Sequence, residues 1–465
     1  MKKSLLTLIT LLLFSFSLFA QRGGRSSHVS YTSLVNRSLS PVFFLDEVLL
    51  PGKTDSTSTL AFIFRMDNEF LPFKKINYET DLNQPAGYEF YSLARINSEI
   101  FRNEGSSSNK KNAVSVARDV WQDTVFAKTF DDTRLKTLYT SGVLANELTP
   151  GSYDYLLQLN LMGEANDRNS TRRTLKIQNL STKKTGEIYL VNTIADKDDK
   201  LELTLLNMGN NALYGKDFHA LVRIPDFDET ANYTLDIFKA TVEKRDTTLG
   251  KSAFSTSISS DNIYPNSNAK LLRSGEPTIE LTQGDFSFTY AIIKVPNSAF
   301  ENSVYQIQIK KEGVDKPVAK KIIQSYWPEM PPALFNIDIA LDMLKFIIPE
   351  KEVRELKKGN NAQKEAKFRE FWASKDPTPD TEYNELMTEY YRRVDYAFKE
   401  FRNPENPEGQ DTDRGSIYIK FGPPISTERQ FPSMGRVLET WTYPDRVFVF
   451  EKGSGFSDFK LLGKE

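Results

Sequence analysis

Four carboxylates in the C-terminal third of the chain are the side chains best placed to do chemistry. Asp376 and Glu385 lie near the start of a long amphipathic pattern, and Asp411 and Asp413 lie in the run GQDTDRG that follows it. Grouped carboxylates can bind a divalent cation or act as acid and base in hydrolysis. These residues therefore define a candidate hydrolytic site, with Asp376, Asp411 and Asp413 as its catalytic candidates.

The same carboxylates have a structural interpretation, because three arginines that could pair with them lie close in sequence: Arg392, Arg393 and Arg414. Under this interpretation Asp376 caps a turn, while Thr412 and Asp413 satisfy backbone groups of a loop. An arginine–carboxylate pair then ties the long helix to a sheet. Asp-Thr-Asp-Arg-Gly before a strand is good turn chemistry, so the structural interpretation is favoured.

Two further groups could bind a ligand. The aromatic candidates are Tyr390, Tyr391 and Trp441, and the rigid-corner candidates are Gly422, Pro423 and Pro424. Helix and sheet periodicity predicts that most of the aromatic candidates are core residues. Termination of a strand is the simpler explanation of Gly-Pro-Pro.

Composition excludes several classes of protein. The 465 residues include no cysteine and only two histidines, His28 and His219. Disulfides, thiol catalysis and cysteine-bound metals are excluded, and a Ser–His–Asp triad or histidine zinc site is disfavoured. With a net charge of −2 and no basic block, nucleic acid is disfavoured as a partner. We predict no metal and no cofactor.

The N-terminus predicts export. Lys2 and Lys3 precede the apolar stretch Leu5 to Phe19, and Ala20 supplies a small residue for cleavage. Residues 1–20 therefore read as a signal peptide, with an uncleaved anchor as the alternative. Residues 21–39 are polar and predict a flexible leader. We expect the mature protein in the periplasm, at the outer membrane or secreted, with no transmembrane segment.

Alternating apolar residues dominate the next three hundred positions. In TLAFIFRM, for example, Leu60, Phe62, Phe64 and Met66 share one face. Short strands separated by polar turns predict antiparallel β-sandwiches of immunoglobulin-like type, over residues 40–180 and 186–327. The Ser-, Thr- and Asn-rich section Asp246 to Ser274 predicts long loops.

From residue 330 the pattern becomes helical and then β. Asn336 predicts a helix cap, and a long helix is predicted over 382–402, capped by Asp380 or Thr381. In GSIYIKFGPP, alternation predicts a strand, and RVLETWTYPDRVFVFE predicts a hairpin with FSDFKLL as an edge strand. The predicted domain 330–465 is therefore α+β, with helices packed on a small antiparallel sheet.

The ordered segments FWASKDPTPDTEYNE, EYYRRVDYAFKEF, GQDTDRGSIYIKFGPP and ETWTYPDRVFVFE resemble the GWxTD domain. This bacterial family of unassigned function is frequent in Bacteroidetes and related phyla. The resemblance implies a binding or structural motif made of Phe371, Trp372, Asp376, Pro377, Asn384, Glu385, Tyr390, Tyr391, Arg392, Arg393, Gly409, Thr412, Asp413, Arg414, Gly415, Gly422, Pro423, Pro424 and Trp441. Gln410 replaces the family's tryptophan. If that tryptophan stacks on a ligand in relatives, this protein has lost the contact. If it only packs, Gln410 indicates a locally exposed turn.

Together these patterns predict an exported interaction protein of the cell envelope with a C-terminal recognition domain. Its partner would be another envelope protein or an extended ligand. The alternative is a carboxylate-dependent hydrolase acting on cell-wall or glycan material. The lack of a nucleophile motif favours the first.

Overall fold

The structure is a computed structural model that describes residues 31–35, 42–78, 84–103, 114–243, 246–433, 436–452 and 458–464. The predicted signal peptide and most of the predicted leader lie outside these ranges. The described residues form two compact units. The N-terminal unit contains residues 42–328, and the C-terminal unit combines residues 31–35 with residues 329–464.

The N-terminal unit is built of mostly antiparallel sheets, with β12 and β20 as a parallel pair, which confirms the coarse prediction of fold class. Its longer strands are β1 (Phe43–Pro51), β2 (Ser58–Asp67), β4 (Phe90–Arg102), β5 (Ser115–Ala127), β6 (Tyr139–Leu148), β7 (Gly151–Leu161), β9 (Arg173–Ile177), β10 (Glu187–Lys197), β11 (Lys200–Leu205), β13 (Phe218–Ile224), β14 (Tyr233–Glu243), β15 (Asp246–Ser257), β16 (Ile263–Leu272), β17 (Thr278–Gln283), β18 (Phe288–Val295), β19 (Val304–Lys311) and β20 (Ala319–Tyr326). The short strands are β3 (Lys74–Lys75), β8 (Arg168–Asn169) and β12 (Asn211–Leu213).

The sheet of β1, β2 and β6 is buried on both faces. Phe62 and Phe64 pack in one core with β4 and β7, whereas Ala61 and Ile63 pack in another core with β10, β11 and β17. Burial on both faces explains why TLAFIFRM is almost continuously apolar. One sheet therefore serves two cores.

The other strands form three groups, of which β3, β4, β5, β7, β8 and β9 make one six-stranded sheet. Strands β10, β11, β17, β16, β18 and β13 close into a barrel, and β12, β20, β19, β14 and β15 form a five-stranded sheet. A third core lies between them. The prediction of long loops from Asp246 to Ser274 is wrong, because β15 and β16 occupy most of that section. Edge position and solvent exposure of β15 explain its polar composition.

A buried arginine fixes the segment at the predicted boundary between sandwiches. The Arg223 guanidinium donates hydrogen bonds to the carbonyl oxygens of Leu180 at 3.2 Å, Lys183 at 3.4 Å and Thr185 at 2.6 Å. Arg223 is among the largest fully buried side chains. The segment is therefore anchored to β13 and lies inside one compact unit.

The C-terminal unit has an α+β architecture. Its elements are α1 (Tyr31–Val35), α2 (Ile337–Met343), α3 (Glu350–Leu356), α4 (Asn361–Ala373), α5 (Glu385–Glu400), α6 (Asp413–Phe421), β21 (Ser426–Ser433), β22 (Arg436–Thr442), β23 (Val447–Lys452) and β24 (Phe459–Lys464). The four strands form one antiparallel sheet in chain order. This confirms the predicted hairpin and the edge strand β24.

Helix α6 and helix α1 differ from the predictions for these segments, whereas the predicted Asn336 cap is present. The run GSIYIKF forms helix α6 and not a strand, because Thr412 caps its start and the backbone leaves the helix at Gly422. The Tyr31–Val35 part of the predicted flexible leader is helix α1, with Tyr31 and Leu34 buried in the core of this unit. The Asn336 cap is confirmed, since its side chain accepts from two backbone N–H groups of α2.

Within the described ranges, none of the helices has the length and apolar character needed to cross a membrane.

Candidate functional site

The run GQDTDRG places two glycines where only glycine fits. A Cβ atom on Gly409 would lie 2.4 Å from the Ala397 carbonyl oxygen and 2.5 Å from the Arg402 nitrogen. A Cβ atom on Gly415 would lie 2.1 Å from the Gly409 carbonyl oxygen. These distances are far below van der Waals contact, and every partner named is backbone. The glycines therefore let the C-terminal end of α5 and the start of α6 approach closely.

Thr412 and Asp413 begin helix α6 and connect it to the sheet. The Thr412 hydroxyl accepts from the Gly415 N–H at 3.0 Å and donates to the Gly409 carbonyl at 2.7 Å. The Asp413 carboxylate accepts the Leu461 N–H of β24 at 2.8 Å. A carboxylate in the first helical turn also suits the helix dipole. Thr412 and Asp413 thus satisfy backbone groups, as the structural interpretation predicted.

Gln410 occupies the position of the family's tryptophan and is fully buried, so the prediction of an exposed turn is wrong. The turn Gly409–Asp411, which contains it, packs against both α5 and α6. Its amide nitrogen donates to Glu408 at 3.1 Å, and its carbonyl oxygen has no hydrogen-bond partner among the described residues. The position is therefore a packing site.

Glu439 of β22 accepts hydrogen bonds from two arginines and a tryptophan beneath α6. Its side chain is 2 % exposed and accepts from Arg414 at 3.3 Å, Arg429 at 2.6 Å and the Trp441 indole at 2.8 Å. Burial opposes its ionisation, but the Arg429 hydrogen bond and the Arg414 charge together hold the pKa of Glu439 below its usual value. Arg414 also lies 4.1 Å from the ring centroid of Phe459.

This cluster supplies the arginine–carboxylate tie that the sequence predicted, but with a different carboxylate. Sequence reasoning missed Glu439 and Arg429. A signal was present in the sequence, because Glu439 shares the inward face of its strand with Val437 and Trp441. A charged residue at a core-facing position of a strand requires a buried partner.

The four candidate carboxylates each engage a different group. The Asp376 carboxylate accepts from the Thr378 N–H at 2.9 Å, and Glu385 accepts from the Thr378 hydroxyl at 2.6 Å. Asp411 pairs with Lys345 at 2.6 Å, whereas Asp413 bonds to β24. Asp376 therefore caps a turn, as expected. Across the described ranges, no three His, Cys, Asp or Glu side chains are grouped to hold a metal ion.

The remaining arginines pair elsewhere. Arg392 pairs with Glu329 at 3.0 Å, and Arg393 pairs with Glu389 one turn earlier on α5 at 2.7 Å. Both pairs are partly or largely exposed, so each contributes at most about 1 kcal/mol to stability.

Most of the aromatic candidates are core residues. Tyr390 and Tyr391 donate their hydroxyls to the Met343 and Ala340 carbonyls of α2. Trp372 is buried against both tyrosines, and Trp441 is buried beneath α6. Phe371 packs at the edge of this cluster, while Pro377 is exposed in the loop between α4 and α5. The prediction that most of Tyr390, Tyr391 and Trp441 are core residues is confirmed, since all three are buried.

Asn384 caps α5, so the predicted caps Asp380 and Thr381 are wrong. Its side-chain oxygen accepts from the Met387 N–H at 2.7 Å, and its nitrogen donates to the Trp372 carbonyl at 3.0 Å. Residues 381–384 form a bend and irregular backbone in which Asn384 is extended, so the helix begins at Glu385. The Asn384 side chain bonds both to the C-terminal end of α4 and to the first turn of α5. A sequence pattern that considers only the first turn of α5 therefore does not identify it as the cap.

We expect Asn384→Ala to lower the free energy of unfolding of the C-terminal unit by about 2 kcal/mol, because it removes a helix cap and a buried hydrogen bond. Urea unfolding would measure the change. Asp380→Ala is the matched control and should change stability by less than about 0.5 kcal/mol, because Asp380 is exposed. Equal losses in the two variants would contradict the assignment of the cap.

A stacked pair of tyrosines lies at the surface where α5 meets α6. The rings of Tyr396 and Tyr418 are 4.5 Å apart at an interplanar angle of 18°. Tyr396 is 46 % exposed. Burial raises the pKa of Tyr418, and the charge of Glu389 adds to the effect while that of Arg393 opposes it. We call Glu389, Arg393, Tyr396 and Tyr418 the tyrosine face.

The Gly-Pro-Pro corner borders the tyrosine face. Gly422 has a φ of +79°, which ends α6, and a Cβ atom there would lie 3.0 Å from the Arg393 guanidinium carbon. The Gly422 carbonyl accepts the Tyr443 hydroxyl at 2.8 Å. Pro423 is exposed, and Pro424 is partly buried. The corner thus terminates a helix, where termination of a strand was predicted.

The fold and site define an α+β domain in which a glycine-flanked, threonine-capped turn joins a long helix to a small sheet. Residues 303–456 match the GWxTD domain, so the resemblance is confirmed and the chain carries a GWxTD domain. The match begins before the predicted boundary at 330 and includes β19 and β20. No curated protein matches the chain.

One solved structure to which the chain is similar is called pT26-6p. It is 8 % identical over 84 % of this chain and 86 % of that chain, with a TM-score of 0.12. A score this low supports no inference about fold or function.

Proposed function

We propose that this chain is an exported interaction protein of the cell envelope and that its GWxTD domain is the recognition module. The sheets of the N-terminal unit, as two immunoglobulin-like sandwiches, serve as spacers or docking modules. The protein acts in the periplasm, at the outer membrane or after secretion. Its partner is another envelope protein or an extended ligand that the tyrosine face binds.

The observation that carries this proposal is the stacked pair Tyr396 and Tyr418. Tyrosine is enriched at binding hot spots because a large, rigid ring buries much area and its hydroxyl stays hydrogen-bonded. The adjacent Arg393 and Glu389 provide both charge signs for orientation. Support from the core beneath, where Phe401 and Trp441 contact Tyr418, keeps the pair preorganised.

The carboxylates support a binding role more than hydrolysis. Asp376, Asp411 and Asp413 hold three different partners: a loop amide, a lysine and a strand amide. Acid–base hydrolysis needs two carboxylates directed at one substrate, within about 5–10 Å for a glycosidic bond. Groups occupied by separate internal contacts fit a structural role better.

The test compares capture by the full chain and by two variants. Proteins crosslinked to the wild-type chain in envelope extracts would be identified, and affinity would then be measured with the purified partner. We expect the double variant Tyr396→Ser, Tyr418→Ser to weaken binding at least about tenfold, which corresponds to about 1.4 kcal/mol.

Phe431→Ser is the matched control, because Phe431 is 74 % exposed on β21 and outside the tyrosine face. It should bind like the wild type. Equal binding by the wild type and the double variant would refute the tyrosine face as the recognition surface. Equal weakening in both variants would indicate nonspecific apolar adsorption, and it would refute the proposal as well.

A further inference from the structure

Helix α1 is far from the rest of its unit in sequence but lies in the core of that unit. Tyr31 is 4 % exposed and Leu34 is 6 % exposed, and both belong to the cluster built by α2, α5 and α6. The two side chains are three residues apart, so they project from one side of a single helical turn. The helix therefore presents an apolar pair to the domain that follows it by three hundred residues.

The contacts of Tyr31 are specific. Its hydroxyl donates a hydrogen bond to the Asp395 carboxylate of α5. Its ring packs edge-to-face on Phe398, with centroids 4.9 Å apart at 69°. The helix also packs on the 3₁₀ turn Pro332–Phe335. The Tyr31 side chain is thus held by a ring contact and a hydrogen bond, and its helix is held by packing on this turn.

We propose that the C-terminal unit contains a binding site for a short helix with tyrosine and leucine three residues apart, and that residues 31–35 fill this site in cis. This inference does not depend on the proposed function of the tyrosine face.

A segment this short supports binding rather than independent folding. A helix of five residues is unstable alone, because nucleation fixes several dihedral angles for the gain of a single hydrogen bond. The site must therefore order the segment as it binds, and the bound state remains exchangeable. Covalent attachment compensates, because it raises the effective concentration of the segment near its site above that of a free peptide.

Protonation of Asp395 is coupled to occupancy of the site. Burial raises the pKa of Asp395 to about 7, although the hydrogen bond from Tyr31 and the charge of Lys399 both act to lower it. The other groups near Tyr31 are Glu408, which follows α5, and Tyr391. When α1 leaves, water reaches the carboxyl and its pKa falls toward the ordinary value near 4.

The sign of the effect follows from the raised pKa. The occupied site binds more protons than the empty site between about pH 4 and pH 7, so occupancy is favoured by acid. Affinity for the segment should fall as pH rises through this window, by at most about tenfold per pH unit, and level off above pH 7. In Asp395→Asn the side chain cannot titrate, so this dependence should disappear.

A labelled peptide of residues 26–40 tests the site on the full chain. Tyr31→Ala with Leu34→Ala removes the cis ligand and leaves the site unchanged. We expect this double variant to bind the peptide at least about tenfold more tightly than the wild type, because the attached segment competes. Binding should be tighter at pH 5 than at pH 7, and a peptide with serine in place of tyrosine and leucine should not bind.

A second measurement covers the case in which the double variant does not fold. Since the chain has no cysteine, Thr32→Cys in the otherwise wild-type chain places a spin label at one exposed position of α1. Excess peptide should mobilise the label, and the serine-substituted peptide should not. The proposal is wrong if the label is mobile without peptide at pH 5, if peptide never mobilises it, or if a folded double variant fails to bind peptide.

Discussion

Gly415→Ala should lower the free energy of unfolding of the C-terminal unit by about 3 kcal/mol or more. The added Cβ atom would lie 2.1 Å from the Gly409 carbonyl oxygen and 2.9 Å from the Gln410 Cα atom. Both are backbone atoms, so rotation of a side chain cannot relieve the clash, and α6 must move away from the turn Gly409–Asp411. Urea unfolding followed through the fluorescence of Trp372 and Trp441 would report the loss.

The direction of this change separates packing from helix propensity. Alanine favours a helix over glycine by about 1 kcal/mol, so propensity alone predicts that Gly415→Ala stabilises α6. Gly250→Ala on the exposed strand β15 is the matched control, because its nearest contact would be 3.2 Å and the strand can shift. Stabilisation by Gly415→Ala would show that the close approach of the two glycines is not required.

Glu439→Gln should cost about 3–5 kcal/mol of stability, the second large effect that we expect. The substitution keeps the shape of the side chain but removes the charge that compensates Arg414, whose side chain is largely buried. An uncompensated buried arginine is expensive, and one amide oxygen cannot replace a carboxylate with three donors. Differential scanning calorimetry and urea unfolding would measure the change.

Glu451→Gln is the matched control in the same sheet. Glu451 pairs with the exposed Arg436 at 3.3 Å, so its loss should cost less than about 1 kcal/mol. The contribution of Glu439 to stability also depends on pH. Because the pKa of Glu439 is lowered, its contribution is complete above the unfolded pKa near 4.3 and is lost as pH falls through the lower folded value. Equal costs for the two variants would contradict the role of Glu439.

The sequence predicted helix α5 but not helix α6, because the two helices differ in length and in how they are buried. A helix of 16 residues repeats its apolar stripe several times, so its period is legible. Helix α6 has nine residues and is covered by α5 and the sheet, so its apolar residues do not follow a single stripe. Alternating Ile417, Ile419 and Phe421 then imitate a strand, and the cap Thr412 looks like an ordinary turn residue.

The candidate site was predicted in part. The role of Thr412 and Asp413 in satisfying backbone groups followed from turn chemistry, and the buried state of Tyr390 and Tyr391 followed from helical period. The partner of Arg414 could not be predicted in the same way, because Glu439 lies 25 residues away. A charged residue at an inward-facing position of a strand does not by itself identify the residue it pairs with. The exposed stack of Tyr396 on Tyr418 depends on how α5 crosses α6.

Alternation, helical period and capping residues are local, so the sequence by itself determined that a long strand-rich region precedes the helices and hairpin of the C-terminal domain, and that the GWxTD pattern is present. Contacts between distant segments were decided only by the tertiary structure. Burial of Gln410, the cluster around Glu439 and the docking of Tyr31 on Asp395 each need surfaces that form only when the chain is folded. Tyr31 and Asp395 are 364 positions apart, a distance at which no local pattern carries information.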